Sequence, residues 1–218
     1  MSFFDLDHIF FTVLGYAMSH LEFYGTIAGM VAVVLAAKGN VWSWPIGIIN
    51  VVLLFFLFFQ VQLYPDMFLQ VFFFITNIAG WWRWKNPRPG EENRIQELKV
   101  SYLSWRSRMT GLAILTGGTV IMGTFAANLS RMAPGLFSKP SAFPYADSFV
   151  TVASLFAQYW MLHKKAECWV LWILADVVAT WLYFTRGIKF LSLEYAIFCF
   201  VAAYGLITWI RQEKEASI

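Results

Sequence analysis

Long uncharged runs separate the charged residues of this chain. No Asp, Glu, Lys or Arg occurs in 39–65 or 109–130, and shorter clear runs cover 23–37, 67–82, 148–163 and 195–210. A seventh run, 168–185, is broken only by Asp176. A helix needs about 20 mostly apolar residues to cross the hydrocarbon, and in lipid a backbone has few other ways to satisfy its hydrogen bonds. The shorter runs become long enough when flanking charges extend to the interface. The spacing therefore predicts an all-α membrane protein with seven transmembrane helices. Composition agrees: 59% of the 218 residues are apolar and only 13% are charged, against about 25% in soluble domains. The partner implied is the lipid bilayer. A net charge of +3 is too small to suggest a nucleic acid.

Residues 3–19 are also apolar but carry Asp5, Asp7 and His8. They are expected to form an interfacial helix within an N-terminal segment, 1–21, rather than an eighth span. The acids stand where a cleavable leader would have bases, so no leader is expected. Cys168 and Cys199 lie in apolar runs with no CxxC or histidine cluster, and are expected to be core residues.

Basic residues set the orientation. The loop 85–108 and its flanks carry Arg83, Lys85, Arg88, Arg94, Lys99, Arg106 and Arg108. With that loop cytoplasmic, Lys38, Lys164, Lys165, Arg211 and Lys214 also fall inside, leaving only Arg131, Lys139, Arg186 and Lys189 outside. A cytoplasmic C-terminus follows.

The two halves resemble each other. KGNVW (38–42) matches KAECW (165–169), and Glu22, Thr26 and Gly29 share the spacing of Asp147, Thr151 and Ser154. Both third helices end in Gly-x-x-x-Trp, Gly80 to Trp84 and Gly205 to Trp209. Three helices, a connector and three more put both triplets the same way up, a parallel repeat known among transporters. The expected organisation is a first three-helix repeat (22–84), a basic loop (85–108), a glycine-rich linker helix with an outer loop (109–142), a second repeat (143–210) and a tail (211–218).

Polar residues at membrane depth are costly, so they mark sites or helix contacts. Asp176 would cost at least about 2.5–3.5 kcal/mol at a bilayer centre. Trp169 and Trp172 share its helix face by their spacings of seven and four. Trp169 reads either as an interface-belt tryptophan or as part of a pathway; Trp172 lies deeper and reads as pathway. Asn50 lies one residue from register with Asp176, and the two are expected to face each other across a central path. Pro45 and Gly47 upstream form either a hinge or an ordinary first turn. Gln70 and Asn77 share a face that the second half does not duplicate, its counterparts being Tyr195 and Ala202. Asp147, Thr151, Ser154 and Gln158 form a polar stripe, with Asp147 a possible helix cap. Gln60, near the end of the second helix, completes the candidate set. Indole faces attract cations and stack on flat rings, so tryptophans beside an acid suit a flat cationic or polar heteroaromatic ligand. No GxSxG, HExxH or Gly-Lys-Ser/Thr motif occurs and the three histidines do not cluster, so no enzyme and no metal is expected.

The run GIINVVLLFFLFFQVQLYPDMFLQVFFFITNIAGWWRW (47–84) resembles the PnuC family of bacterial nicotinamide riboside transporters. So do FPYADS (143–148), WVLWILAD (169–176) and SLEY (192–195), with Glu22 and Gly25 in the first helix. The likeness covers most of 20–210; residues 85–142 carry no motif that can be placed. It implies a bundle like that of the SWEET sugar transporters (3+1+3), assembled as a homotrimer in the bacterial cytoplasmic (inner) membrane. It implies facilitated diffusion of nicotinamide riboside, sustained by intracellular phosphorylation, and no cofactor. It carries the paired tryptophans onto Trp169 and Trp172 and an acid-or-amide position onto Asp176, with Asn50 as first-half partner and Gln70 and Asn77 as further contacts. Relatives can have an amide where this chain has Asp176. The alternatives are a carrier of another cationic heteroaromatic such as thiamine, or a non-transporting membrane receptor.

Overall fold

The computed structural model describes residues 9–13, 16–60, 64–132 and 142–216. Among them are seven helices: α1 (His20–Ala37), α2 (Ser43–Gln60), α3 (Tyr64–Lys85), α4 (Trp105–Met132), α5 (Pro144–Leu162), α6 (Cys168–Thr185) and α7 (Lys189–Ala216). Each expected helix is present, and most extend past their uncharged run because charged residues can occupy terminal turns. Five of them, α1, α2, α4, α6 and α7, are both long and apolar enough to cross a membrane. The other two are long enough, at 22 residues for α3 and 19 for α5. Amides and end charges in α3, and the polar stripe of α5, make them less apolar.

The interfacial helix expected at 3–19 is not what the described part of that segment forms. Ile9–Val13 (β1) and Tyr16–Ser19 (β2) pair as an antiparallel hairpin. The cause is legible: IFFTV is aromatic and β-branched, and Gly15 follows it, which is a hairpin signal. Residues 3–8 lie outside the described residues. Ser19 then caps α1. Its hydroxyl accepts from the Glu22 amide (3.3 Å) and the Glu22 carboxylate accepts from the Ser19 amide (2.8 Å), so two end groups are satisfied reciprocally. Tyr16 donates to the same carboxylate at 2.6 Å. Burial, then this bond, pushes its hydroxyl up to about 12.

The chain divides into two compact units. One comprises residues 1–100 with 162–164 and 207–218; the other comprises 101–161 and 165–206. In the first, α2 runs unbroken through Pro45 and Gly47, which makes Pro45 an ordinary first-turn proline. At one end of this unit the buried rings of Trp44, Trp84 and Trp209 pack together. Trp44 meets Trp84 edge to face at 5.1 Å, and Trp84 lies 5.8 Å from Trp209. The Trp209 N–H donates to the Ala36 carbonyl (3.0 Å) and the Gln212 amide to that of Lys38 (2.9 Å). Lys164 donates to the Gly39 carbonyl at 3.2 Å. The ends of α1, α3 and α7 and the turn after α5 therefore meet.

In the second unit α4 lies against α5 through glycines. A Cβ at Gly111 would come within 2.6 Å of the Trp160 ring, and one at Gly123 would collide with Tyr145. Helices α5 and α6 share an apolar core of Val152, Ala153, Ala157, Leu171 and Ala175, joined by Leu115 of α4. Glu167 anchors the start of α4, accepting from the Leu103 amide (3.0 Å) and the Arg108 guanidinium (2.9 Å).

Both units repeat one packing device. Gly80 of α3 faces Trp44, where a Cβ would lie 2.5 Å from the ring; Gly205 of α7 faces Trp169 at 2.7 Å. Each pair stands 125 positions from its counterpart, as do Glu22 and Asp147, Gly80 and Gly205, and Trp84 and Trp209. KGNVW and KAECW are offset by 127, so that match is out of register. The structural counterpart of Trp169 is Trp44, the second residue of its helix, and not Trp42. At the same separation Gly39 and Lys164 both take the left-handed conformation, with φ of +73° and +52°.

Candidate ligand site

Helix α6 sets Trp169, Trp172 and Asp176 along one face, as their spacing predicts. Their surroundings differ. Trp169 is 1% exposed, its ring filling the space left by Gly205. It is part of the contact between α6 and α7. Trp172 is half-buried and packs against the α4–α5–α6 core, with Phe156 and Trp160 nearby. Its indole N–H is buried, and no hydrogen-bond partner for it occurs among the described residues. A buried donor left unpaired costs about 1–3 kcal/mol; the indole N–H groups of Trp44 and Trp169 are buried in the same way.

Asp176, one turn further, is 5% exposed. No described residue hydrogen-bonds its carboxylate; its backbone carbonyl accepts from Thr180 at 2.7 Å. The Cys199 thiol of α7 lies within its electrostatic reach. Gln158, on α5, is buried beside Ala157 of the shared core. Further along α5 the stripe separates. Asp147 is paired with Arg186 of the α6 end at 2.6 Å, and Thr151 donates to the Asp147 carbonyl at 3.1 Å.

The remaining candidates belong to the first unit. Asn50 donates to the Gly25 carbonyl of α1 at 2.8 Å, its amide lying over Gly29. Asn77 is 7% exposed. It donates to the Phe73 carbonyl of its own helix (2.7 Å), and its side-chain oxygen sits against Gly47 of α2 so closely that a Cβ there would collide. Gln70 is also buried, one face-repeat from Asn77. Gln60 stands apart: it is exposed and donates to Phe56 of its own turn at 3.3 Å. Asn50 and Asn77 are thus brought to the same stretch of α2, at Asn50 itself and Gly47, while Trp169, Trp172, Asp176 and Gln158 gather in the other unit.

One relation is only half visible in the sequence analysis, which pairs Asn77 with Ala202 but not Gly47 with Trp172. At the separation of 125, Gly47 corresponds to Trp172 and Asn77 to Ala202. One half has a small residue on its second helix and an amide on its third. The other half has an indole on the second helix and a methyl on the third. The shared Trp/Gly pairs lie one turn away. The spacing of the Gly-x-x-x-Trp motifs, which already pairs Asn77 with Ala202, also pairs Gly47 with Trp172.

Outside the spanning helices, Lys164 is 2% exposed with its ammonium 4.3 Å from the centre of the Trp84 ring. Burial pulls its amine down to about 8, opposed by the Glu97 charge. Glu91 is held below its ordinary range, first by its hydrogen bond from Arg83.

Comparison with known proteins adds to this geometry. The profile of a family described as nicotinamide mononucleotide transporter matches residues 19–211. The chain is 34% identical to the nicotinamide riboside transporter PnuC of Escherichia coli (strain K12), over 96% of this chain and 93% of that one. It is 25% identical to the riboflavin/roseoflavin transporter RibM of Streptomyces davaonensis, over 90% of this chain and 87% of that one. The crystal structure of the vitamin B3 transporter PnuC shares its fold, with a TM-score of 0.67 at 23% identity, covering 90% of this chain and 83% of the other.

Proposed function

The chain belongs to the nicotinamide mononucleotide transporter family, a family of multi-pass membrane transporters and not enzymes, and we propose that it carries nicotinamide riboside across the bacterial cytoplasmic membrane. The observation that carries this reading is the pair on α6: an indole N–H and a carboxylate one turn apart, both buried and both without a partner among the described residues. A pyridinium nucleoside offers the complement of each. Its flat cationic ring stacks on an indole and is attracted by an acid. Its ribose and carboxamide accept and donate. A mononucleotide would bring a phosphate to this buried site, and an unpaired buried charge is costly to desolvate. No Lys or Arg stands among the candidates on α2, α3, α5 and α6 to offset that, so the riboside is favoured over its phosphate.

In this reading Trp172 stacks and donates, and Asp176 supplies charge or accepts from ribose. Asn77, Gln70 and Gln158 contact the ligand from their own helices. Trp169 and Asn50 act mainly by holding their helices in place. Seven spans form two three-helix repeats joined by α4. Transport is facilitated diffusion, net uptake being drawn by phosphorylation inside the cell. The chain assembles as a homotrimer, with the C-terminus and the 85–108 loop cytoplasmic.

Purified protein in liposomes should exchange labelled nicotinamide riboside without an ion gradient, and riboflavin and thiamine should compete poorly. Uptake that collapses when a proton or sodium gradient is removed would refute facilitated diffusion. Preferential exchange of riboflavin or thiamine would refute the substrate, and saturable binding with no flux would make the chain a receptor.

A further inference from the structure

A cavity of about 550 Å³ opens at the end of the first unit, away from the candidates on α2 and α3. It lies among the α1–α2 turn, the loop after α3, Lys164 and the last turn of α7. That volume is in the range of small-molecule sites. Its charge is uneven: Lys38, Arg94, Lys99 and Lys164 line it against Glu97 and Glu215. A net charge of two positives matches a phosphate monoester, which carries about −1.5 to −2 at pH 7. Trp42 also lines it, with 60% of its surface exposed, so an indole face is open beside the cations.

Two features mark this as more than a patch of surface bases. Lys164 is buried, yet the described residues give its ammonium one hydrogen-bond acceptor, the Gly39 carbonyl, and one ring face. An ammonium has three donors. The backbone is also strained at two residues here: Gln96 and Lys164 have positive φ, at +60° and +52°, beside Gly39, which takes +73° freely. Left-handed residues other than glycine are uncommon, and such strain gathers at ligand sites. Two of these residues line the cavity and the third lies between Ile95 and Glu97, which also line it.

We propose that this cavity binds a nucleoside monophosphate, its ring stacked on Trp42 and its phosphate held by Arg94, Lys99 and Lys38, with Lys164 at the floor. The site is separate from the one on α6 and does not rest on the transported substrate being a riboside. Binding is measured by calorimetry on the full-length protein in phosphatidylcholine nanodiscs, with AMP and UMP as probes, and adenosine and inorganic phosphate as partial probes. AMP or UMP should bind more tightly than either partial probe, and more weakly as salt rises. Trp42→Ala should weaken binding about fivefold or more, the size of a base–aromatic stack, and Arg94→Ala should weaken it while flattening the salt dependence. Both positions are exposed, so the fold should persist. Saturating nicotinamide riboside should leave the nucleotide affinity unchanged. No heat with either nucleotide overturns the proposal. So does binding unaltered in both variants, displacement by nicotinamide riboside, or displacement by phosphatidylglycerol included in the disc, which would make the cavity a lipid headgroup contact.

Discussion

Replacing Trp172 with Phe separates ligand reading from packing, because the two roles predict opposite signs. The change removes the indole N–H and the second ring edge but leaves an aromatic face against the α4–α5–α6 core. The ligand-free protein now buries that N–H unpaired, at a cost of about 1–3 kcal/mol. Removing it takes away this penalty, while the lost ring atoms leave a small void. A large-to-smaller aromatic change of this kind loses about 1–3 kcal/mol of packing, so the two terms nearly cancel. The thermal midpoint of the ligand-free protein should move by only a few degrees. With ligand present the N–H makes a hydrogen bond, and its loss should cost about 0.5–1.5 kcal/mol, or a two- to twelvefold rise in Kd. Trp172→Ala also removes the stack and should cost more. Thermal unfolding in detergent and calorimetric titration with nicotinamide riboside measure the two quantities. A Phe variant that binds like the parent but melts well below it would show that Trp172 is packing alone.

Three further outcomes follow from the same geometry. Asp176→Asn should weaken nicotinamide riboside by about tenfold or more, since opposite charges about 4 Å apart attract by ~4 kcal/mol at an effective dielectric of ~20; equal loss for an uncharged analogue in the same titration would show that the carboxylate does not read charge. Gly205→Ala puts a Cβ 2.7 Å from the buried Trp169 ring, and overpacking costs about 1–3 kcal/mol, lowering the midpoint by roughly 2–4 °C per kcal/mol, whereas Gly117→Ala, with open space beside it, should not destabilise. Lys164 is pulled from 10.5 to about 8 by burial, so the unfolded chain binds more protons between those values and stability should rise with pH across that window, by at most about 3 kcal/mol; a parent whose midpoint climbs no more from pH 7.5 to 9.5 than that of Lys164→Met would refute it.

The helices are legible in the sequence because charge is excluded from lipid over lengths that only helices can use. The repeat is legible too, but its register depends on which match is weighted. Gly80 and Gly205 fix it because each leaves a space that one particular tryptophan fills. The lysine–tryptophan match misleads because turns tolerate sliding that a Trp-into-Gly contact does not. Asp176 and Trp172 stand out by chemistry alone. The burial of Trp169 does not, since an indole at a helix start looks the same in sequence whether it meets lipid, ligand or a glycine. Nor does Asp147, whose partner Arg186 lies 39 positions away. Lys164 reads as an ordinary basic turn residue, and only the packed Trp84 ring and the carbonyl of Gly39 show that it is enclosed.

The exchange between the two halves bears on how one fold can serve unlike ligands. A ribosylated pyridinium has a flat charged end and a hydroxylated end. Here the Trp/Gly contacts that hold second and third helices together recur in both units, so the scaffold is retained. One turn away the residues diverge, Gly47 with Asn77 in one unit and Trp172 with Ala202 in the other. The exchange moves the amide and the indole to different helices and makes the Trp172/Ala202 level the bulkier of the two. The Trp/Gly contacts of the scaffold are therefore distinct from the residues that differ between the halves. On this account Trp172→Gly with Ala202→Asn, which copies the first half into the second, should lower the thermal midpoint, because an indole packed on the α4–α5–α6 core is lost, while helix content by circular dichroism should persist. It should abolish binding of nicotinamide riboside, because the indole one turn from Asp176 would be gone. Retained tight binding in that double variant would place the reading of the ring elsewhere.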